Sequence, residues 1–330
     1  MNMIVVEGAG LAGLTCALLL ARDDWPVTLV GTPSMADLVL NEATVRLLGE
    51  VWDDPGQRLL DGSHRLGRRW VRWGDDAAPV ELPSTAVAVD GRRLAVALAQ
   101  RLPACVDRAA TAPDGEWAVR ATALPSGNPP AGRRVAISGY ATMPFDGVSR
   151  MVTTGRGWVQ AVPLGDGRGL VRAVTPVPPD DPEAFLAEEV EHSGLGVWVT
   201  GPPRLVTVAP AAPWLGRQRA EPGRIRIGGA VLRLDPVSGS GAGHAMRTAI
   251  LAAAVIRQIR DGRPATDLLG HYHRRLAAVF HDHLAGCAAH YRSAFTGDDW
   301  AAELHITATA LHAQRGAPVF TGRRDVAAMT

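Results

Sequence analysis

Six residues near the N-terminus, Gly8-Ala9-Gly10-Leu11-Ala12-Gly13, have the spacing Gly-x-Gly-x-x-Gly. In such a turn the first glycine permits a tight bend, and the second lets a pyrophosphate approach the backbone. The third lets the following helix pack closely on the preceding strand. The helix start then offers unpaired N–H groups and the positive end of a dipole to the phosphates. Gly8, Gly10, Leu11, Ala12 and Gly13 are therefore candidate contacts for a dinucleotide. An Asp or Glu commonly ends the second strand and binds the ribose. Gly31 stands there in this chain, which leaves Thr32, or Ser34, as the candidate for a weaker ribose contact.

A second set of small residues runs through Gly228-Gly229, Asp235-Pro236 and Ser238-Gly239-Ser240-Gly241, between a short strand and a long helix. A helix N-terminus presented by small residues stabilises negative charge on an electron-rich ring. The plainer alternative is an ordinary loop in which Ser238 or Ser240 caps the helix. Gly229, Asp235, Pro236, Ser238, Gly239 and Gly241 are the candidate contacts here.

Other residue types narrow the chemistry. All 34 basic residues counted as Lys or Arg are arginine, which excludes Schiff-base, lysine acid–base and P-loop lysine chemistry. Cys16, Cys105 and Cys287 are far apart, with neither a CxxC spacing nor an even count for a disulfide framework. His283, Cys287 and His290 share a helix face at i, i+4 and i+7, but no further pattern closes a metal site, and no metal is expected. The run Arg65, Arg68, Arg69 and Arg72 reads as a solvated strand face or a reductant-docking patch. A net charge of +1 gives no electrostatic case for nucleic acid or an anionic membrane. No apolar run reaches membrane-spanning length, and a cytoplasmic protein is expected.

The elements that must hold these residues follow from periodicity. Met3–Glu7, the glycine turn, Leu14–Arg22 and Val27–Val30 read as strand, turn, helix and strand, a βαβ unit. A helix is expected over 38–52, and short strands over 69–90 with turns at Gly74-Asp75 and Pro83. A second helix is expected over 92–102, and strands near 117–121 and 133–137. Residues 157–175 alternate like sheet about a hairpin at Gly165-Asp166-Gly167. A helix over 182–193, strands over 203–209 and 224–228, and helices from 240 to about 312 complete the pattern. This order predicts an α/β protein: a Rossmann-like domain with an inserted antiparallel sheet and C-terminal helices.

The two glycine clusters together resemble the FAD-dependent monooxygenases of the p-hydroxybenzoate hydroxylase type. The Asp-Pro-x-Ser-Gly-x-Gly form is most similar to the branch of flavin-dependent halogenases, geranylgeranyl reductases and flavoproteins of tryptophylquinone maturation. Gly157-Trp158-Val159-Gln160-Ala161-Val162-Pro163-Leu164 resembles that branch's GWxWxIPL strand. His283-Leu284, Cys287, His290-Tyr291 and Arg323-Arg324 resemble the maturation flavoproteins.

The resemblance implies an FAD-binding domain from residues 1–68, 91–150 and 223–262. It implies a substrate-binding sheet from 69–90 and 151–222, and a helical cap over 263–330. It implies FAD as cofactor, with NAD(P)H or a separate flavin reductase as electron source. The activity it implies is hydroxylation or oxidation of a bulky substrate, small or bound to a carrier or peptide. Trp70, Trp73, Trp158 and Gln160 are the candidate substrate lining. The family's ribityl-binding Asp is Gly229 here, and the ribose acid is Gly31. Halogenase chemistry of the standard type is excluded by the missing lysine and by Gln160 in place of the second tryptophan. The alternatives are a cofactor-poor relative acting as partner or maturation scaffold, and an NAD(P)-dependent dehydrogenase.

Overall fold

The computed structural model describes residues 3–316, apart from 75–76, 123–128, 145 and 217–222 and the side chains of 314–316. Asp75, Arg323-Arg324 and the tail 317–330 of the expected cap lie outside the described residues.

Strand β1 (Ile4–Glu7), helix α1 (Leu11–Arg22) and strand β2 (Val27–Val30) form the expected βαβ unit. β1 and β2 run parallel, with Ile4 opposite Val27 and Glu7 opposite Val30. Ile4, Val5, Val6, Val27 and Leu29 are all buried, as in a parallel strand covered on both faces.

β3 (Leu38–Leu40) and α2 (Glu42–Val51) replace the single helix expected over 38–52. Asn41 Oδ1 accepts the Thr44 amide at 2.9 Å and starts the helix, while Leu38–Leu40 pair with Val87–Val89. β4 (His64–Arg72) and β5 (Val80–Val89) are longer than expected. Pro83, read as a turn, lies inside β5 opposite Arg68, next to a register shift between Leu66 and Arg68. An irregular rung of this kind tolerates a residue with no N–H.

α3 (Gly91–Gln100) is capped by Asp90, whose Oδ1 accepts the Arg93 amide at 2.9 Å. β6 (Val106–Ala109) and β7 (Trp117–Arg120) follow. β6 was not expected, because its Asp107 and Arg108 are exposed and break the apolar pattern. Next come β8 (Val135–Thr142), β9 (Val148–Thr154), β10 (Gly157–Pro163) and β11 (Arg168–Thr175). β9 was also not expected: Arg150 sits buried within it because Asp146 takes its guanidinium at 2.6 Å. The chain continues through α4 (Pro182–His192), β12 (Thr200–Pro210), β13 (Trp214–Leu215), β14 (Arg224–Arg226) and β15 (Leu232–Arg233). α5 (Gly241–Arg260), α6 (Ala265–Arg292) and α7 (Asp298–Gly316) complete it.

Among the described residues, β14-β7-β1-β2-β6 form a parallel five-stranded sheet, and β12-β8-β11-β10-β9-β4-β5-β3 form an eight-stranded sheet. The larger sheet is antiparallel apart from the β4–β9 pair. The architecture is the predicted α/β one, Rossmann-like with an inserted sheet. The two faces of the larger sheet differ. One carries Val159, Ala161 and Val171 and packs under Phe185, Leu186 and Val190 of α4. The other carries Met151, Trp158 and Val174 and packs against Cys287 and Tyr291 of α6, Phe295, and Trp300 of α7.

Candidate functional site

The first glycine turn follows directly from β1. Gly8 has φ +109, and its amide donates to the Val30 carbonyl at 2.9 Å. A Cβ on Gly13 would lie 1.7 Å from the Gly8 carbonyl oxygen, so only glycine lets α1 approach the turn. Gly10 is different: a Cβ there would meet only the Ser34 carbonyl oxygen, at 3.7 Å, an ordinary contact. Packing within the described chain does not demand glycine at position 10. Gly10 is the N-cap of α1 and supplies no side-chain acceptor for the first-turn amides. Thr32 is exposed beyond β2, and Gly31 has φ +107.

The second cluster meets the first. Gly228 has φ +56, and a Cβ on it would lie 2.7 Å from Ala12 Cβ, so the loop after β14 presses on the first turn of α1. The Gly228 amide is held by Thr248 Oγ1 of α5 at 2.7 Å. Among the described residues a Cβ on Gly229 has no neighbour within 4 Å. Asn41 Nδ2 reaches the Gly239 carbonyl at 3.3 Å, tying the start of α2 to the loop before α5. In that loop Pro236 is partly exposed, and Ser238, Gly239 and Gly241 are exposed.

Asp235 has another role. Its carboxylate is fully buried and takes Arg134 Nε at 2.8 Å, Tyr291 Oη at 2.7 Å and the Val237 amide at 3.0 Å. Its own amide donates to His283 Nε2 at 2.8 Å. The side chain shapes the loop rather than lining its open side. Arg134 Nη1 in turn meets Glu303 Oε1 of α7 at 2.6 Å. Burial opposes the Arg134 charge, but Asp235, Tyr291 and Glu303 outweigh it and hold its pKa above the ordinary value. Burial, with a further push from Asp235, raises the Cys287 and Tyr291 pKa values, and burial lowers that of His283 against a smaller opposing pull from Asp235.

The expected substrate lining divides between the two faces of the sheet. Trp158 is fully buried, its indole donates to Tyr291 Oη at 3.1 Å, and it belongs to the core rather than to a pocket. Trp70 pairs with Arg150 on the opposite face and lies 5.8 Å from Trp198, under α4. Both placements correct the expected lining: strand alternation separates the two rings. Trp73 stacks on His290 at 4.0 Å, and its indole donates to the His290 carbonyl at 3.1 Å. Gln160 stands opposite Met151 and Arg172 on the face turned toward α6. The arginine run is divided too. Arg68 is exposed and pairs with Glu81, Arg72 donates to the Ser193 carbonyl, and Arg69 is only partly exposed, with Nη2 3.6 Å from Met151 Sδ. Among the described residues, no three His, Cys, Asp or Glu side chains gather as a metal site needs.

No family model and no curated protein sequence matches the chain. Solved structures do. QhpG, a peptidyl tryptophan dihydroxylase essential for tryptophylquinone cofactor biogenesis, is 18% identical, with a TM-score of 0.74, over 92% of this chain and 78% of its own. The myxobacterial chondrochloren halogenase CndH is 18% identical, with a TM-score of 0.76, over 97% of this chain and 92% of its own. PqsL, a probable FAD-dependent monooxygenase from Pseudomonas aeruginosa, is 14% identical, with a TM-score of 0.65, over 97% and 99%. The fold is that of the flavin-dependent monooxygenases and halogenases.

Within this flavin-monooxygenase fold, both glycine clusters sit together at the start of α1, and the larger sheet turns one face toward α6. The residues that sequence reasoning missed are Arg134, Tyr291 and Glu303, which fix the second loop, and Arg172, which lies beside Gln160. Tyr291 lay inside a motif already noted. Arg134 and Glu303 carried no local signal.

Proposed function

We propose that the chain is an FAD-dependent oxidoreductase of the monooxygenase type, acting on a bulky organic substrate. The contact of Gly228 with Ala12 carries this reading. It brings the second glycine cluster onto the turn that suits a pyrophosphate, an arrangement a simple nicotinamide domain does not need. Gly8, Gly10, Leu11, Ala12 and Gly13 would hold the pyrophosphate, with first-turn amides that have no side-chain cap. Gly10 fits this role, since its missing side chain is explained by close approach of a ligand and not by packing. Pro236, Ser238, Gly239 and Gly241, ahead of α5, would face the ring. Bound FAD would supply the electron-transfer and oxygen chemistry. The face carrying Gln160 and Met151 would orient the substrate and, with α6, exclude water. NAD(P)H or a partner reductase would supply electrons. A protein-bound substrate is the narrower form of the proposal, supported by the likeness to QhpG.

The cofactor-poor reading has its own support: neither Gly31 nor Gly229 offers a ribose or ribityl ligand. One titration separates the two. Purified protein is expected to be yellow, or to gain melting temperature with added FAD. A colourless protein whose melting temperature is unmoved by saturating FAD would overturn the flavoenzyme reading.

A further inference from the structure

Two arginines on the inner face of the larger sheet lack a counter-ion among the described residues. Arg172, on β11, donates Nε to Ser138 Oγ at 3.2 Å and makes no ion pair among the described residues. Arg69, on β4, has among the described residues only the thioether of Met151 at 3.6 Å as a hydrogen-bond partner. The strand register puts Met151 opposite Gln160, and Gln160 opposite Arg172. Gln160 itself makes no hydrogen bond through its side chain among the described residues. Three strong hydrogen-bonding groups thus share one patch of a face whose neighbouring positions, Trp158 and Val162, are core. Arg69 and Arg172 are only partly exposed, and burial lowers the pKa of each. Two other arginines are neutralised from within, Arg134 by Asp235 and Glu303, and Arg150 by Asp146, while Arg233 lies over the Trp214 ring. A desolvated guanidinium left without an acid is costly, unless a ligand brings the acid.

We propose that Arg69, Gln160 and Arg172 form the recognition site for the anionic head, carboxylate or phosphate, of an organic substrate. This rests on the reading above that this face of the sheet receives the substrate. Planar guanidinium forks match such heads in a two-point geometry. The apolar body would lie toward Met151 and the stacked Trp73–His290 pair, since Trp73 packs against the same cluster as Met151.

The test is titration of the whole protein, with and without saturating FAD, using benzoate, phenyl phosphate and neutral benzamide. At least one anion should bind about ten-fold more tightly than benzamide, and comparison of the two anions identifies the head. R172Q and R69Q should each weaken that anion about ten-fold, and R168Q, which removes an exposed ion-paired arginine, should not. Without ligand, R172Q should melt no lower than the parent, since it removes a desolvated charge. Benzamide binding as tightly as both anions, no binding of any probe, or unchanged anion affinity in the variants would overturn the proposal. If R172Q does not fold, R69Q and the probe comparison on the parent protein still decide. FAD binding without anion selectivity sinks this inference alone; anion selectivity without FAD binding sinks the flavoenzyme reading alone.

Discussion

The Tyr291 hydroxyl donates to Asp235 Oδ1 at 2.7 Å, joining α6 to the loop that precedes α5. The second oxygen of Asp235 takes Arg134, and Arg134 also holds Glu303 of α7, all out of contact with solvent. Removing one partner of such a set leaves the others charged and buried, at a cost of about 3–5 kcal/mol. Arg134→Met is therefore expected to lose about that much in urea unfolding. A loss below about 1 kcal/mol would show that the two carboxylates do not depend on Arg134.

Gly10 and Gly13 make opposite predictions. Gly13→Ala puts a methyl carbon 1.7 Å from the Gly8 carbonyl, so the turn must move, and both stability and FAD binding should fall. Gly10→Ala has room, with its nearest contact at 3.7 Å. It should melt within a few degrees of the parent while FAD affinity falls about ten-fold or more, since the methyl group would enter the path proposed for the pyrophosphate. Equal FAD affinity in G10A and parent would show that the ligand does not approach there.

Gly229 offers a gain of function. A side chain there meets nothing within 4 Å, and the residue is not in the left-handed region. Gly229→Asp should tighten FAD by about ten-fold, the worth of one charge-assisted hydrogen bond. Gly31→Glu should not match it, because φ +107 strains any side chain at that position. Fluorescence titration of the two variants side by side checks the ranking.

His283 should contribute to acid sensitivity, alongside His244, His273 and His290, whose pKa values burial also lowers. Burial lowers its pKa below the ordinary 6.5, against a smaller opposing pull from Asp235. The unfolded chain then binds more protons than the folded one below about pH 6.5, so stability falls as pH drops through that value. Protonation also removes the acceptor for the Asp235 amide. The parent should lose more melting temperature between about pH 7.5 and 5.5 than His283→Gln does. Parallel curves for the two proteins would assign the acid sensitivity elsewhere.

How much was legible in the sequence depended on distance along the chain. The βαβ unit was readable because its apolar strand, three glycines and helix are consecutive. The DPxSGxG loop was readable as a loop, but not the purpose of Asp235, whose partners Arg134 and Tyr291 are 101 and 56 residues away. Trp158 looks alike as core or as pocket lining until Tyr291, 133 residues on, takes its indole. The arginine run looked uniform because an irregular rung at Leu66–Arg68 and strand alternation, neither visible locally, send its members to different surroundings.

The Asp235 clasp also bears on the order in which the chain is made. Both glycine clusters and α5 have been synthesised by Arg260, whereas Tyr291 and Glu303 come later. A chain growing from its N-terminus can therefore pair β14 beside β7 and still have its second loop unfastened. The arrival of α6 and α7 then fastens a loop that lies against a glycine turn made more than two hundred residues earlier.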